Sequence, residues 1–312
     1  MWGPLSKRRT PGWTAIDVLP QRVDVARVAE APEGARLRIL ALDSFERRGT
    51  AADTLEALRK SLGLQKHRCV TLLEPGAYQW QQLETPDVPP EEMRDATRWK
   101  LKDLLAYPVE NATVDVLDIP ADGAAGRPRA LFAVTAENGV VGGRMADFAA
   151  AGLSLDAIDV PETAQRNVAA RFEQENRGLA LLVINDGGGL LTFTRNGALY
   201  ATRRIEIGAG QLAEASQERR EQMFERIGLE LQRSIDNFDR QYGAIPLTRL
   251  LVASAAVLDG LLDYLAPNLS IPVAALDLAA VADFPDVPEL AKPARQAQCL
   301  HAIGAALRPS SP

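Results

Sequence analysis

Apolar positions along the chain fall into two series with the same grammar. In the first, residues 14–18 form a short apolar run closed by Leu19-Pro20-Gln21-Arg22, and residues 23–28 then alternate. After the loop Ala31-Pro32-Glu33-Gly34, residues 36–42 supply a third such segment. Alternation throws successive side chains to opposite faces, so all three predict strands. Leu55, Leu58 and Leu62 follow at helical spacing and predict a helix over 51–62.

The second series begins with a buried-type strand over 179–184, the turn Asn185-Asp186-Gly187-Gly188-Gly189 and a strand over 190–194. Asn196-Gly197 predicts a two-residue hairpin, because both residues tolerate the positive φ of a type I′ turn. Residues 198–207 return as the third strand, and Gly208-Ala209-Gly210 leads to a helix over 217–242. Its stripe of Phe224, Ile227, Leu231, Ile235, Phe238 and Tyr242 predicts core packing rather than a coiled coil. Two meanders, each followed by a helix, predict two related α/β domains.

Between the first helix and the polar linker 171–178 lies an extra segment, residues 66–136. It carries a strand over 68–73, a helix opening at Pro89-Pro90-Glu91-Glu92, and strands over 113–119 and 130–135 around a flexible loop, 121–128. The expected organisation is a first domain over 13–170 with an inserted subdomain at about 66–136, and a second domain over 178–308. The tails 1–12 and 309–312 are expected to be flexible. A last helix, 294–307, presents Ala297, Leu300, Gly304 and Leu307 on one face.

Composition narrows the class. The chain has 312 residues, 46% of them hydrophobic and 24% charged, which excludes a disordered chain and a small disulfide scaffold. A net charge of −6 argues against general nucleic-acid binding. Cys69 and Cys299 are too few for a secreted disulfide framework. The basic start has no apolar run behind it, and no apolar stretch reaches the ~20 residues a membrane span needs. These features predict a cytoplasmic protein without membrane insertion, carried to any membrane by a partner.

Four clusters invite a chemical reading. Asp186-Gly187-Gly188-Gly189 offers backbone amides for a phosphate, but it matches no nucleotide motif and leads into a strand, so a tight β-turn is the favoured reading. His67 with Cys69 and Cys299 with His301 form two pairs spaced too closely for usual zinc ligation, so core thiols and surface histidines are expected, with no metal. With two histidines and no nucleophile elbow, no catalytic residue is nominated. In the helix from Glu91 toward Tyr107, Met93, Leu101 and Leu104 share a face while Trp99 falls off it. Beside Arg98, Lys100 and Lys102, Trp99 suits an interface anchor as well as a covered second layer.

Several segments together resemble a known family. Pro89-Pro90-Glu91-Glu92 leading into Arg98-Trp99-Lys100-Leu101-Lys102-Asp103-Leu104, Tyr107-Pro108, Ile158-Asp159-Val160-Pro161-Glu162 and Arg203-Arg204-Ile205-Glu206-Ile207-Gly208 are similar to MshI-like proteins of MSHA pilus biogenesis. Glu230-Leu231-Gln232-Arg233-Ser234 resembles a further motif of that family. These proteins are relatives of PilM, the actin-like cytoplasmic component of type IV pilus machines. The resemblance implies an α/β, actin-like (ribonuclease H-like) two-domain fold with an extra α+β subdomain inserted in the first domain. It also implies a partner: the cytoplasmic N-terminal peptide of a PilN-like inner-membrane protein, gripped by the first domain and its insertion. Trp99, Lys100, Leu104 and Tyr107 are the expected partner-binding residues. Self-association stays open.

The nucleotide site implied by the resemblance is degenerate. Asp17 stands where the family's first phosphate loop, roughly Asp-Ile-Gly-Ser, begins, but Val18-Leu19-Pro20-Gln21 replaces the rest. Val183-Ile184-Asn185 occupies the second Asp-Ile-Gly, with Asp186 displaced by three, and Val252-Ala253-Ser254-Ala255-Ala256 lacks the glycines of an adenosine loop. Pro20 has no amide proton, and Leu19 crowds an approaching phosphate. The residual cleft of Asp17, Asp186, Gly187, Gly188 and Gly189 is therefore expected to bind no cofactor. An ATP-binding protein using those residues with Mg²⁺ is the alternative.

Overall fold

The computed structural model describes residues 12–29, 35–121, 128–256 and 258–309. The expected tails lie outside the described residues except at Gly12 and Pro309, as do most of loop 121–128 and the loop 31–34.

The chain begins with β1 (Trp13–Val18), β2 (Arg22–Val28), β3 (Leu37–Glu46), α1 (Ala51–Leu62) and β4 (Arg68–Leu72). The insertion follows as β5 (Gln79–Glu84), α2 (Met93–Leu101), β6 (Ala112–Ile119) and β7 (Ala130–Glu137). Then come α3 (Asn138–Ala150), β8 (Leu155–Asp159) and α4 (Pro161–Ala169). The second series is β9 (Gly178–Asn185), β10 (Gly188–Arg195), β11 (Ala198–Ile205), α5 (Ala209–Glu214) and α6 (Gln217–Tyr242). The chain closes with β12 (Leu247–Ser254), α7 (Leu258–Asn268), β13 (Val273–Ala275), β14 (Ala282–Asp283) and α8 (Pro293–Ala306).

Both predicted meanders form. β1–β2–β3 and β9–β10–β11 pair antiparallel in sequence order, and parallel strands extend each sheet. The first sheet has the order β14-β3-β2-β1-β4-β8, the second β11-β10-β9-β12-β13. In the predicted hairpin Asn196 has φ 50° and Gly197 φ 71°, the left-handed pair that a type I′ turn needs. Local signals also fix α1: Thr50 and Asp53 form a reciprocal capping box, and Gly63 closes the helix at φ 65°.

Strand periodicity builds five layers. In β9, Leu179, Leu181 and Val183 face a core with α4 and α8, while Ala180, Leu182 and Ile184 face α6 and α7. The first sheet likewise turns Ile16, Val18, Val23 and Val25 toward Leu55 and Leu58 of α1 and Phe148 of α3. Its other face, with Trp13, Ala15, Val70 and Leu72, meets α4 and α8. The two helices thus fill the space between the sheets. All six stripe residues of α6 are buried, as core packing requires.

The insertion is a third sheet, β5-β7-β6, covered on one face by α2 through Leu101, Val114 and Leu131. Its other face sends Ile119 and Phe132 into the same core as Tyr200 of β11.

The late chain differs from a contiguous unit over 178–308. β14 pairs with β3 in the first sheet, and α8 packs beneath β1, β2 and β4 as well as β9 and β12. From Gln296 to Ala306 nearly every residue of α8 is buried, so the helix is apolar-packed all round rather than on one face. α2 ends at Leu101, so Leu104 leaves the face of Met93 and Leu101 and is 52% exposed.

Candidate functional site

The first turns of the two meanders face each other, and a cleft of about 520 Å³ opens between them. Asp17, at the end of β1, and Asp186, Gly187, Gly188 and Gly189 all line it, so the structure brings the residual set to one place. The segment Val252–Ala256 is not part of this lining.

Neither turn presents an open cradle. In the first, the Leu19 amide donates to the Arg22 carbonyl at 2.9 Å, and Pro20 has no proton to give. In the second, the Gly187 amide donates to Asn185 Oδ1 at 2.9 Å, while Gly188 pairs back onto Asn185. Gly188 has φ 104°, and a Cβ on it would stand 3.0 Å from the Ile205 carbonyl, so glycine is required by strand packing here. The run is a tight β-turn.

The charges in the cleft are largely paired. Arg22 reaches Asp24 through Nε at 3.0 Å and crosses to Asp186 Oδ2 through Nη1 at 2.5 Å. Asp24 is 1% exposed and accepts a hydrogen bond from Ser44. Asp17 is buried beside it; desolvation, then the Asp24 charge, push its carboxyl up to about 7, against the opposing pull of Arg144 and Arg22.

On the other side, Arg204 of β11 enters the first half. It pairs with Glu162 Oε1 at 2.7 Å and with the Tyr78 hydroxyl, which itself donates to Glu162 Oε2 at 2.5 Å. Glu162 is buried, and its charge is matched where it lies. At the cleft floor His301 Nε2 meets Gln165 Oε1 at 3.1 Å and Nδ1 meets Asn185 Nδ2 at 3.3 Å. These partners fit a neutral ring that donates through Nε2 and accepts at Nδ1, and burial pulls its pKa down to about 4.

The surface position expected for His301 is not what forms: it is a satisfied core histidine. The Cys/His pairs are not brought together: Cys69 lies in the core under α1 and α3, Cys299 in the core between the sheets. His67 Nδ1 is 2.7 Å from the Thr14 hydroxyl. Among the described residues no group of three or more His, Cys, Asp or Glu side chains is placed to hold a metal.

Sequence reasoning missed Arg22 and Arg204 as cleft residues, and Tyr78 and Gln165 as the partners that hold Arg204 and His301 there.

The predicted partner-binding residues lie on the insertion, apart from the cleft. Trp99 is 72% exposed, with Lys102 Nζ 5.9 Å from its ring centre, and Leu104 is open to solvent nearby. Lys100 Nζ donates to the Glu84 carbonyl at 2.9 Å, which fixes the end of α2 onto the β5 edge. Tyr107 packs against the core under α2. No described helix is long and apolar enough to cross a membrane.

No family model matches the chain, and no curated protein matches it. Among solved structures it is similar to a chain described as a PilM-PilN type IV pilus biogenesis complex, at 18% identity. That match covers 96% of this chain and 99% of the other, with a TM-score of 0.76. A second, from Bacteroides thetaiotaomicron, is described as a protein with actin-like ATPase fold and unknown function. It is 8% identical, covers 91% of this chain and 96% of the other, and has a TM-score of 0.50. Identities this low speak to architecture, and the architecture agrees throughout: the chain has an α/β, actin-like fold, in the form seen in a PilM-PilN structure.

Proposed function

We propose that the protein is a scaffold of a type IV pilus or related secretion assembly platform, of the MshI/PilM-like kind. In this reading it binds the N-terminal cytoplasmic tail of a PilN-like inner-membrane protein and works at the cytoplasmic face of the membrane through that partner. The observation that carries the reading is the breadth of the likeness: it spans 96% of this chain and 99% of a chain from a PilM-PilN complex, so the insertion is included. An exposed tryptophan on that insertion, with a cation over its ring, supplies an anchor of the type that dominates protein interfaces.

The cleft fits nucleotide poorly. The Leu19 and Gly187 amides are engaged within the turns, Pro20 has none to offer, Asp186 is paired to Arg22, and Asp17 is held where its charge is disfavoured. An ATP-binding reading keeps one favourable observation, the convergence of Asp17 and Asp186 on one cleft.

Calorimetry of the full chain with a synthetic PilN-type N-terminal peptide tests the scaffold reading, with Trp99→Ala expected to weaken binding by about tenfold or more. Absence of peptide binding to the wild-type chain overturns it. Thermal shift with Mg-ATP tests the cleft: submillimolar affinity would favour the ATP-binding alternative.

A further inference from the structure

We propose that Arg22 is a built-in latch of the cleft, tying the first turn of one meander to the first turn of the other so that the two turns are held together without a ligand between them. The inference stands on the cleft geometry and is independent of the partner reading above.

The two carboxylates that Arg22 joins are held very differently. Asp24 is 1% exposed; Ser44 donates to it, and Arg295 of α8 donates in turn to Ser44 at 2.7 Å. The Arg22 Nε–H is bound to this fixed carboxylate at 3.0 and 3.3 Å, which orients the planar fork before Nη1 reaches across. Asp186, at the far end, is 64% exposed and sits on a two-residue turn. An ordinary surface ion pair gains little because two long side chains must both be ordered to form it. Here the long side chain is already ordered by a buried acid, and only a short aspartate is added.

The release point follows from the same asymmetry. Freeing Asp186 returns a carboxylate to water at small cost, whereas freeing Asp24 would strand a buried charge. The second tie across the halves, Arg204 to Glu162, has its acid buried and shared with Tyr78. It is a fixed brace, as is Gln165, whose buried Nε2 donates to the Leu181 and Leu190 carbonyls, whereas the Arg22–Asp186 contact ends on an exposed acid and is releasable.

Amide hydrogen exchange on the full chain tests the latch, comparing wild type, Asp186→Ala, Arg22→Ala and the double variant. In the latch account, Asp186→Ala raises exchange over 19–22 and 186–189 together by about threefold, the effect of losing one such pair. The double variant is then no faster across the cleft than Arg22→Ala, and 0.5 M salt narrows the difference between wild type and Asp186→Ala. Exchange that rises only at 186–189, or strictly additive effects, overturns the proposal. Should Arg22→Ala fold poorly because Asp24 loses its partner, Asp186→Ala decides alone: its effect must reach residues 19–22 across the cleft, and a wild-type rate there overturns the latch.

Discussion

Gly304 and Ala164 bring the backbones of α8 and α4 into direct contact. A Cβ on Gly304 would stand 2.1 Å from the Ala164 carbonyl oxygen, and Asn167 Nδ2 donates to the Gly304 carbonyl at 2.9 Å beside it. The crossing lies between the two sheets, so a substitution here moves both cores. Gly304→Ala should cost about 2–3 kcal/mol, read as a lower urea midpoint with an unchanged slope. Gly142 is the control. It lies within α3, and a Cβ added to it would meet nothing within 4 Å, so Gly142→Ala should stabilise by about 0.5–1 kcal/mol through helix propensity.

His301 makes folding sensitive to acid. Its pKa falls from 6.5 to about 4 on burial, so the unfolded chain binds its proton more readily and stability rises with pH. The contribution is complete above pH 6.5 and is lost as pH falls toward 4, in total about 3 kcal/mol. Urea unfolding between pH 4 and 7 should therefore show a shallower pH profile for His301→Gln than for wild type. Parallel profiles would remove His301 as the source.

Asp17 acts with the opposite sign. Its carboxyl is raised from 3.8 to about 7, so the folded chain holds the proton more tightly and stability from this group is lost as pH rises from 3.8 through 7. Asp17→Asn should match wild type near pH 3.5 and exceed it by up to about 4 kcal/mol at pH 8. A stability difference that does not grow with pH would contradict the assignment.

Trp99 and Leu101, two positions apart, should separate binding from folding. Leu101 is fully buried under the third sheet, and Leu101→Ala should cost about 2–4 kcal/mol. Trp99→Ala should change stability by less than about 0.5 kcal/mol, because the ring faces solvent. Thermal denaturation of both variants checks the contrast.

What could be read in advance follows from how local the signals are. The meanders, the Asn196-Gly197 turn and the α6 stripe each announce themselves within a few residues, and all formed as expected. β5 did not announce itself: Gln79-Trp80-Gln81-Gln82-Leu83-Glu84 has two apolar residues on opposite faces and no period. The segment of α3 carries Gly139, Gly142 and Gly143, which suppress the helix signal although the helix forms. β14 is two residues long and exists through its pairing with β3. At the cleft, glycine and aspartate were visible as residue types. The contacts of Arg22 with Asp186 and of His301 with Gln165 join residues 164 and 136 positions apart, which no local pattern encodes.

The late position of α8 has a consequence for how the protein is made. Trp13, Ala26, Ile39 and Leu72 of the first sheet lie in the same core as Leu300 and Ile303. As the chain leaves the ribosome, α4 can cover part of that face, but the rest stays open until α8 has been synthesised. The first half cannot complete its core before α8 emerges, so the part of the face that α8 covers is a natural client surface for chaperones during translation.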